Sequence, residues 1–448
     1  MSDLAVFQDE DARAQDIRAR MHGKLCGLVT SVGGFNRGLR APRLYVEGGE
    51  LTGVHVWQNR PAPKPGSYHI GGYGFLPFES RIRVLGETVE RYAGYAGTVG
   101  GRFPVTFATH DELTARGEPV LEAGALRFFT AEQLARPGFP YEPFDTAAPL
   151  GWIRVPDLTT GQEWLVPAQQ FLLGYIPPKE EPWLLSAVTT GTAAHTSPHS
   201  ALLGGMHELV QIDSAMGHWH GGLASARIEL DGRLRGITAL LRRGFQGKIA
   251  PEFHLLPNAD LPGFSVACLL RSAKGAVPAI SVGLGSGTSL ARSVYRSLLE
   301  TVGVQALASW SFLQAKLDAE DEKTDQARLA GMFDLESNVG YYAGPDAADL
   351  VEQRFAHSTT ARASDLPPDD TRTPREVARN VVERFRSTGK RLFWADLTAP
   401  DIHDLGFTAM RLWSPDTISL PLPSAPPAAH PRFAAYGGFV NPLPHPYP

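Results

Sequence analysis

Three largely apolar helical segments of this chain each carry a carboxylate near their middle, and this restricts the fold more than any other feature. In Arg83-Val-Leu-Gly-Glu-Thr-Val-Glu-Arg-Tyr92, Leu85, Val89 and Tyr92 recur at helical spacing and no breaker follows until Gly94. Glu87 and Glu90 are three residues apart, so both project from one helix face about one turn apart. In Ser200-Ala-Leu-Leu-Gly-Gly-Met-His-Glu-Leu-Val-Gln-Ile-Asp213, Glu208 and Gln211 have the same spacing, and Leu202, Leu203, Met206, Leu209 and Ile212 form the apolar stripe of a buried helix. In Val294-Tyr-Arg-Ser-Leu-Leu-Glu300, Arg296 and Glu300 are four apart on an otherwise apolar helix. Each segment alone also reads blandly, as a solvated glutamate pair or as an Arg296–Glu300 surface ion pair. A buried carboxylate is costly unless it is paired or metal-bound. One site shared by all three helices would remove that cost.

These segments together resemble the YcaO superfamily, ATP-dependent enzymes that activate backbone amides. Glu87-Thr-Val-Glu90-Arg91 is similar to its first ExxER motif, and Glu208-Leu-Val-Gln211-Ile-Asp213 to the Glu…Gln…Asp form of its second. Thr189-Thr-Gly-Thr-Ala-Ala-His195 resembles the small-residue turn ahead of that second helix, and Arg296 and Glu300 fall where the third motif is expected. The segment Asn441-Pro-Leu-Pro-His-Pro-Tyr-Pro448 carries the PxPxP pattern of the peptide cyclodehydratases. Four positions depart from the family pattern: Val84 for a serine, Tyr73 for the lysine of a GKG turn, Ile212 for an arginine and Gly303 for a glutamine.

The resemblance implies an α+β YcaO-type fold whose mixed sheets and helices enclose a pocket for ATP and Mg²⁺. It implies Glu87, Glu90, Glu208 and Glu300 as metal ligands, and Arg91, Gln211, Arg296 and Thr189 as further nucleotide-binding residues. It implies catalytic placement by Pro444, Pro446 and Pro448, and His195 is a candidate for proton transfer. The chemistry is consistent: carboxylates repel a triphosphate unless a divalent cation intervenes, Mg²⁺ takes one or two carboxylates with phosphate oxygens and water, and guanidinium groups pair with phosphate directly. Phosphoryl transfer needs positioning and charge neutralisation more than a conspicuous nucleophile. The implied reaction converts Cys, Ser or Thr of a ribosomal precursor peptide to a thiazoline or oxazoline. A leader-peptide-binding partner protein, E1-like or similar, is implied with it; a homodimer is left open. Other superfamily reactions give thioamides or macrocyclic amidines. A non-catalytic scaffold and a nucleotide-free carboxylate-pair hydrolase are the alternatives from other classes.

The remaining sequence narrows the class without naming a substrate. The 448 residues are 43% hydrophobic and 20% charged, as in ordinary globular chains. A net charge of -5 gives no support to nucleic-acid binding. No apolar run approaches the roughly 20 residues of a membrane span, and the acidic start Met1-Ser-Asp-Leu lacks a signal pattern, so no membrane association and a cytoplasmic location are expected. The two cysteines, Cys26 and Cys268, read as buried free thiols.

Periodicity and turn residues predict the organisation. Residues 1–66 form an N-terminal α+β region, with a helix over 3–21, strands at 25–32, 43–46 and 51–57, and a hairpin turn at Glu47-Gly-Gly-Glu50. Residues 67–448 form the catalytic domain, with a charged surface excursion at 317–375 and an extended proline-rich tail from 421 to 448. Helices are expected at 200–217, 236–243, 289–302 and 374–387, and strands at 152–155, 163–167, 264–270, 277–283 and 391–397. Gly283-Leu-Gly-Ser-Gly-Thr288 is a strand-to-helix turn or, less simply, a phosphate cradle. His218-Trp-His220 reads as structural or substrate-facing, and Asp213 as a hydrogen-bonding residue or a ligand.

Overall fold

The computed structural model describes residues 2–23, 27–34, 42–61, 69–245, 250–317, 329–335 and 337–448. Cys26, the start of the strand expected at 25–32, most of the proline-rich loop at 60–66 and the charged run at 318–325 lie outside the described residues.

The chain begins with α1 (Ser2–Met21), β1 (Val29–Gly34), β2 (Tyr45–Leu51), α2 (Val54–Trp57), β3 (His69–Gly74) and α3 (Pro77–Val99). A region of β4 (Thr106–Thr109), α4 (His110–Ala115), α5 (Ala131–Leu134), β5 (Pro149–Pro156), β6 (Glu163–Pro167) and α6 (Ala168–Phe171) follows. Next come β7 (Thr192–His195), α7 (Pro198–His220), β8 (Ala226–Glu229), α8 (Arg235–Gly244), β9 (Glu252–Leu255), β10 (Phe264–Arg271), β11 (Ile280–Gly287) and α9 (Leu290–Leu317). The last part holds α10 (Ser337–Tyr342), α11 (Pro345–Ala356), β12 (Thr359–Arg362), α12 (Pro374–Ser387), β13 (Phe393–Asp396), α13 (Pro400–Asp404) and β14 (Thr408–Trp413).

The described residues form four sheets, in strand orders β1-β2-β3, β4-β5-β6, β13-β14-β7 and β11-β10-β9-β8-β12. All pairings are antiparallel except β12 with β8. This is the mixed α+β arrangement that the sequence predicts.

Close approach of helix to strand organises the centre. In β3, a methyl group at Gly72 would overlap the Ser80 carbonyl and Val84 of α3. In β11, methyls at Gly283 and Gly285 would overlap the backbone of α9 at Thr301, Ser293 and Ser297. In α7, Gly205 lies against Gly191 just ahead of β7. Glycine is required at such contacts because no Cβ fits between the two backbones. Gly283-Leu-Gly-Ser-Gly287 is therefore neither turn nor phosphate cradle; it is strand, and its glycines seat a helix.

Three expectations are corrected. Glu47-Gly-Gly-Glu50 is not a hairpin turn but the middle of β2, paired on both sides, with Gly49 under the Ser31 carbonyl of β1. Residues 51–57 are not a strand: only Leu51 belongs to β2, and Val54–Trp57 is helical. The described part of 317–375 is not a surface excursion, since Val351 and Phe355 are buried beside Trp219 in the core and β12 extends the five-stranded sheet. The boundary drawn at 66/67 is also bridged by a sheet, because β2 pairs with β3.

The tail is docked by donors that meet its carbonyls, as proline has none to offer. Trp219 Nε1 donates to Leu443 O (3.0 Å), Tyr342 OH to Pro444 O (2.6 Å), and Asn338 Nδ2 to His445 O (2.7 Å) and Tyr447 O (2.8 Å). Upstream, the turn Pro431–Tyr436 locks onto α7. Arg432 donates to Asp213 Oδ2 from Nε (3.0 Å) and Nη2 (2.6 Å), Tyr436 OH donates to the same oxygen (2.7 Å), and Ile418 N donates to Oδ1 (2.9 Å). Asp213 is thus a buried anchor. His218, Trp219 and His220 are buried at the end of α7, and His220 Nδ1 meets Asn441 O at 2.8 Å. Among the described residues no helix is long and apolar enough to cross a membrane.

Replacing Asp213 by Ala leaves the 4% exposed Arg432 without its main partner. The expected cost is about 3–5 kcal/mol of unfolding free energy, read from denaturant melts; a loss under about 1 kcal/mol would contradict this anchoring.

Candidate active site

Each of the three long helices presents its glutamate next to a neighbouring backbone N–H. Glu87 on α3 accepts from Gly71 N of β3 at 2.7 Å, Glu208 on α7 from Gly191 N at 3.0 Å, and Glu300 on α9 from Leu284 N of β11 at 3.0 Å. The glycine contacts bring each helix close enough for these bonds. One carboxylate oxygen is thereby fixed, and the orientation of each acid with it.

The three acids line a single cavity of about 1770 Å³, together with Glu90, Arg91, Thr189, Gln211, Arg296, Tyr73 and Pro448. Arg91 pairs with Glu87 at 2.8 Å, each side chain 28% exposed. Glu90, Glu208 and Glu300 make no ion pair among the described residues. Arg296 is not paired with Glu300 either: its Nη1 donates to Ser286 O at 3.0 Å, and it too lacks a carboxylate partner among the described residues. Both are half-satisfied groups facing a common space.

The electrostatics follow from that arrangement. Burial, then the neighbouring Glu208 and Glu87, pushes the Glu90 carboxyl well above its ordinary range. Burial raises Glu208 to about 8, partly opposed by the Gly191 N–H, and raises Glu300 to about 7 with help from Glu87. Burial and mutual repulsion act together.

One contributor was not legible in the sequence. Arg411 of β14 is 1% exposed and donates to Val188 O (2.8 Å), Thr190 O (2.7 Å) and Phe171 O (3.1 Å). It shapes the turn that carries Thr189 and the Gly191 N–H, and its charge lies near Glu208 and Glu90. Its one sequence signal is a lone cation in the apolar strand Thr408–Trp413. Tyr73 and Gly303, two departures from the family pattern, explain each other: a Cβ at Gly303 would overlap the Tyr73 ring. Burial, then Glu87 and Glu300, raises the Tyr73 phenol. Val84 is fully buried beneath Gly72, so it packs the helix–strand contact.

Other expected site residues lie apart. His195 is exposed at the end of β7, accepts from Ser197 N at 3.1 Å, and is not among the residues lining the cavity. Pro444 and Pro446 are buried in the docked tail and only Pro448 of the three reaches the cavity wall. Among the described residues no group of three or more His, Cys, Asp or Glu is placed to hold a metal ion by itself. Among the described residues Glu90, Glu208 and Glu300 have no cationic partner and Arg296 no anionic one, so the cavity wall could accept a divalent cation and a phosphate.

A family model described as YcaO cyclodehydratase, ATP- and Mg²⁺-binding, matches residues 71–418. No curated protein matches by sequence. Among solved structures, a heterocyclase in complex with substrate and cofactor is similar at a TM-score of 0.74 and 17% identity, over 98% of this chain and 57% of that one. The chain therefore spans little more than half the length of that heterocyclase. A YcaO protein from Methanopyrus kandleri bound with AMPPCP and Mg²⁺ has a TM-score of 0.59 and 18% identity, over 91% of each chain. A chain of the E. coli microcin synthetase McbBCD complex has a TM-score of 0.59 and 13% identity, over 95% of this chain and 98% of its own.

Two outcomes are expected of the protein without ligand. An unfolded glutamate titrates near 4.5 while Glu208 is raised to about 8 and Glu300 to about 7, so the folded form holds protons that the unfolded chain releases. Their contribution to stability is greatest below pH 4.5, falls as pH rises, and is gone above about 8. Melts across that window should show the decline, and Glu208→Gln should flatten it; an unchanged slope in the variant contradicts the assignment. Gly303→Ala should destabilise the protein far less in a Tyr73→Ala background, with a coupling of about 1 kcal/mol or more in a double-mutant cycle. Additive effects would show that the two do not pack together.

Proposed function

This chain belongs to the YcaO cyclodehydratase family, and on that premise we propose that it is an ATP-dependent peptide cyclodehydratase that makes thiazolines or oxazolines from Cys, Ser or Thr of a ribosomal precursor peptide. The observation that carries the reading is the convergence of Glu90, Glu208, Glu300 and Arg296, none with an ionic partner among the described residues, on one cavity.

In this reaction the side-chain hydroxyl or thiol gives up its proton to solvent as its oxygen or sulfur adds to the preceding backbone carbonyl carbon, and the former carbonyl oxygen must then leave. ATP with Mg²⁺ supplies, when bound, the phosphoryl group that makes this oxygen a leaving group, so that phosphate departs, the amide nitrogen loses its proton, and the ring C=N forms. The residues of the chain do the positioning. Glu90, Glu208 and Glu300 would hold the cation, with Gln211 and Thr189 as further oxygen donors on the wall. Arg296 and Arg91 would meet phosphate oxygens, Arg91 while keeping its bond to Glu87. The Gly71, Gly191 and Leu284 N–H groups keep the acids aimed inward. Arg411 is a positioning residue for the 188–192 turn. Pro448 lies at the edge of the cavity, where a docked tail would limit water and orient the peptide.

A partner that recognises the leader peptide completes the proposal. Its support is that the similar E. coli chain is part of a synthetase complex.

Incubation with a precursor peptide, its partner protein and ATP should release phosphate and remove one water per modified residue. Glu208→Gln and Glu300→Gln should each reduce that turnover at least about a hundredfold. Removing residues 444–448 should reduce it as well, without loss of nucleotide binding. Exchange of oxygen for sulfur would identify a thioamide-forming enzyme instead, and intact peptide without phosphate release would overturn the catalytic reading.

A further inference from the structure

The turn that leads into β7 is held from behind by its carbonyl groups. Val188 O and Thr190 O both accept from Nη1 of Arg411, at 2.8 and 2.7 Å. Thr189 O accepts from Thr192 N at 2.8 Å, and Gly191 O from Leu412 N at 2.7 Å. In a trans peptide the N–H points opposite to the C=O of the same plane. The Val188–Thr189 and Thr190–Gly191 bonds are both trans. Fixing Val188 O and Thr190 O on Arg411 therefore turns the N–H groups of Thr189 and Gly191 away from it. Gly191 shows where they go: its N–H meets Glu208 at the cavity, at 3.0 Å. The Thr189 N–H is turned away from Arg411 in the same manner and has no acceptor among the described residues, and Val188, Thr189 and Thr190 line the cavity.

Packing alone does not account for Arg411. Its hydrogen bonds all go to uncharged acceptors, the carbonyls of Gln170, Phe171, Val188 and Thr190 and the Thr192 hydroxyl, and it has no ion pair among the described residues. A buried charge without a paired ion is expensive, and an apolar side chain would fill the strand at lower cost. Behind the peptide planes, however, the guanidinium polarises them, and a polarised peptide is a stronger donor at its N–H. It also sets positive charge behind the face of the turn that looks into the cavity.

We infer that the Thr189 N–H is an oxyanion donor for the substrate amide, and that Arg411 acts through the 188–191 turn to aim and strengthen it. This rests on the reading that the cavity carries out cyclodehydration. As the side-chain oxygen or sulfur, its proton lost to solvent, bonds to the backbone carbonyl carbon, the C=O π electrons pass to the oxygen. That oxygen is an alkoxide until it takes up the phosphoryl group. A neutral N–H suits it better than a free cation, because a cation also binds the phosphates of the nucleotide before any reaction, whereas a fixed dipole favours charge that appears during it. The neighbouring Gly191 N–H holds Glu208, so one turn sets both the donor for the alkoxide and an acid proposed to hold the cation. The Thr189 N–H is thus a catalytic group, and Arg411 remains a positioning residue.

The test titrates two probes onto the full chain by calorimetry, with and without saturating AMPPCP and Mg²⁺. One is acetyl-Gly-Ser-Gly-amide. The other carries a phosphinate, –P(O)(O⁻)–CH₂–, in place of its Gly–Ser amide, and so imitates the tetrahedral alkoxide. The wild type should bind the phosphinate at least about tenfold more tightly than the amide. An ester in place of the Val188–Thr189 amide deletes the N–H and leaves every side chain intact. It should close the gap to under about threefold while thermal unfolding and AMPPCP affinity stay unchanged. Arg411→Met should narrow the gap likewise and Arg411→Lys should recover part of it, with affinity for the amide probe unchanged in both; equal weakening of both probes would refute the role of Arg411. Equal binding of the two probes by the wild type, or a gap that persists in the ester, would overturn the proposal. Loss of AMPPCP affinity in the ester with the gap intact would overturn it too, and would assign the N–H to a phosphate oxygen. Failure of the wild type to bind AMPPCP with Mg²⁺ would instead sink the nucleotide reading, because the probe titration without nucleotide is read separately.

Discussion

A carboxylate accepting a backbone N–H across a glycine-lined contact is the interaction on which the rest depends. It occurs at Glu87 with Gly71, at Glu208 with Gly191 and at Glu300 with Leu284. None of these acids is near another in sequence. Each helix must lie almost backbone to backbone against its neighbouring segment before the bond can form, which is why Gly72, Gly205, Gly283 and Gly285 tolerate no side chain. The bonds satisfy one oxygen of each acid; the second oxygen is taken by Arg91 at Glu87 and has no ionic partner among the described residues at Glu208 and Glu300. Packing has thus been turned into aim.

That arrangement is costly in the empty protein. Burial first, and then the neighbouring carboxylates, raise the proton affinity of these acids, Glu208 to about 8 and Glu300 to about 7. A fold optimised for stability alone would place apolar groups there. Stability is supplied elsewhere, in the Asp213–Arg432 pair and in the tail carbonyls that accept from Trp219, Tyr342 and Asn338. The two faces of α7 therefore have different tasks: Glu208 faces the cavity while Asp213 holds the tail.

Much of this was legible in the chain because amphipathic spacing survives folding. The helices around Glu87 and Glu208, the helix at 374–387 and the strand at 163–167 lie where periodicity predicts them. The α9 helix is longer than the predicted 289–302 because Gly303 reads as a breaker; in the fold it is buried against Tyr73, and packing outweighs the roughly 1 kcal/mol that a helical glycine costs. The segment Glu47–Glu50 misleads for a related reason: glycines that signal a turn also permit close strand approach. Arg411 was invisible because its role is set by backbone carbonyls from residues 171, 188 and 190, which no local pattern encodes. The segment 337–356 was hidden by its polar flanks, although Tyr342, Ala347, Ala348, Val351 and Phe355 pack into the core.

Calorimetric titration of AMPPCP into the protein, with Mg²⁺ and then with the cation removed by EDTA, tests most directly whether the converging acids hold a nucleotide through a divalent cation. Binding that requires Mg²⁺ and is lost in Glu208→Gln is the predicted result. Equal affinity with and without the cation, or unchanged binding in that variant, would contradict the account.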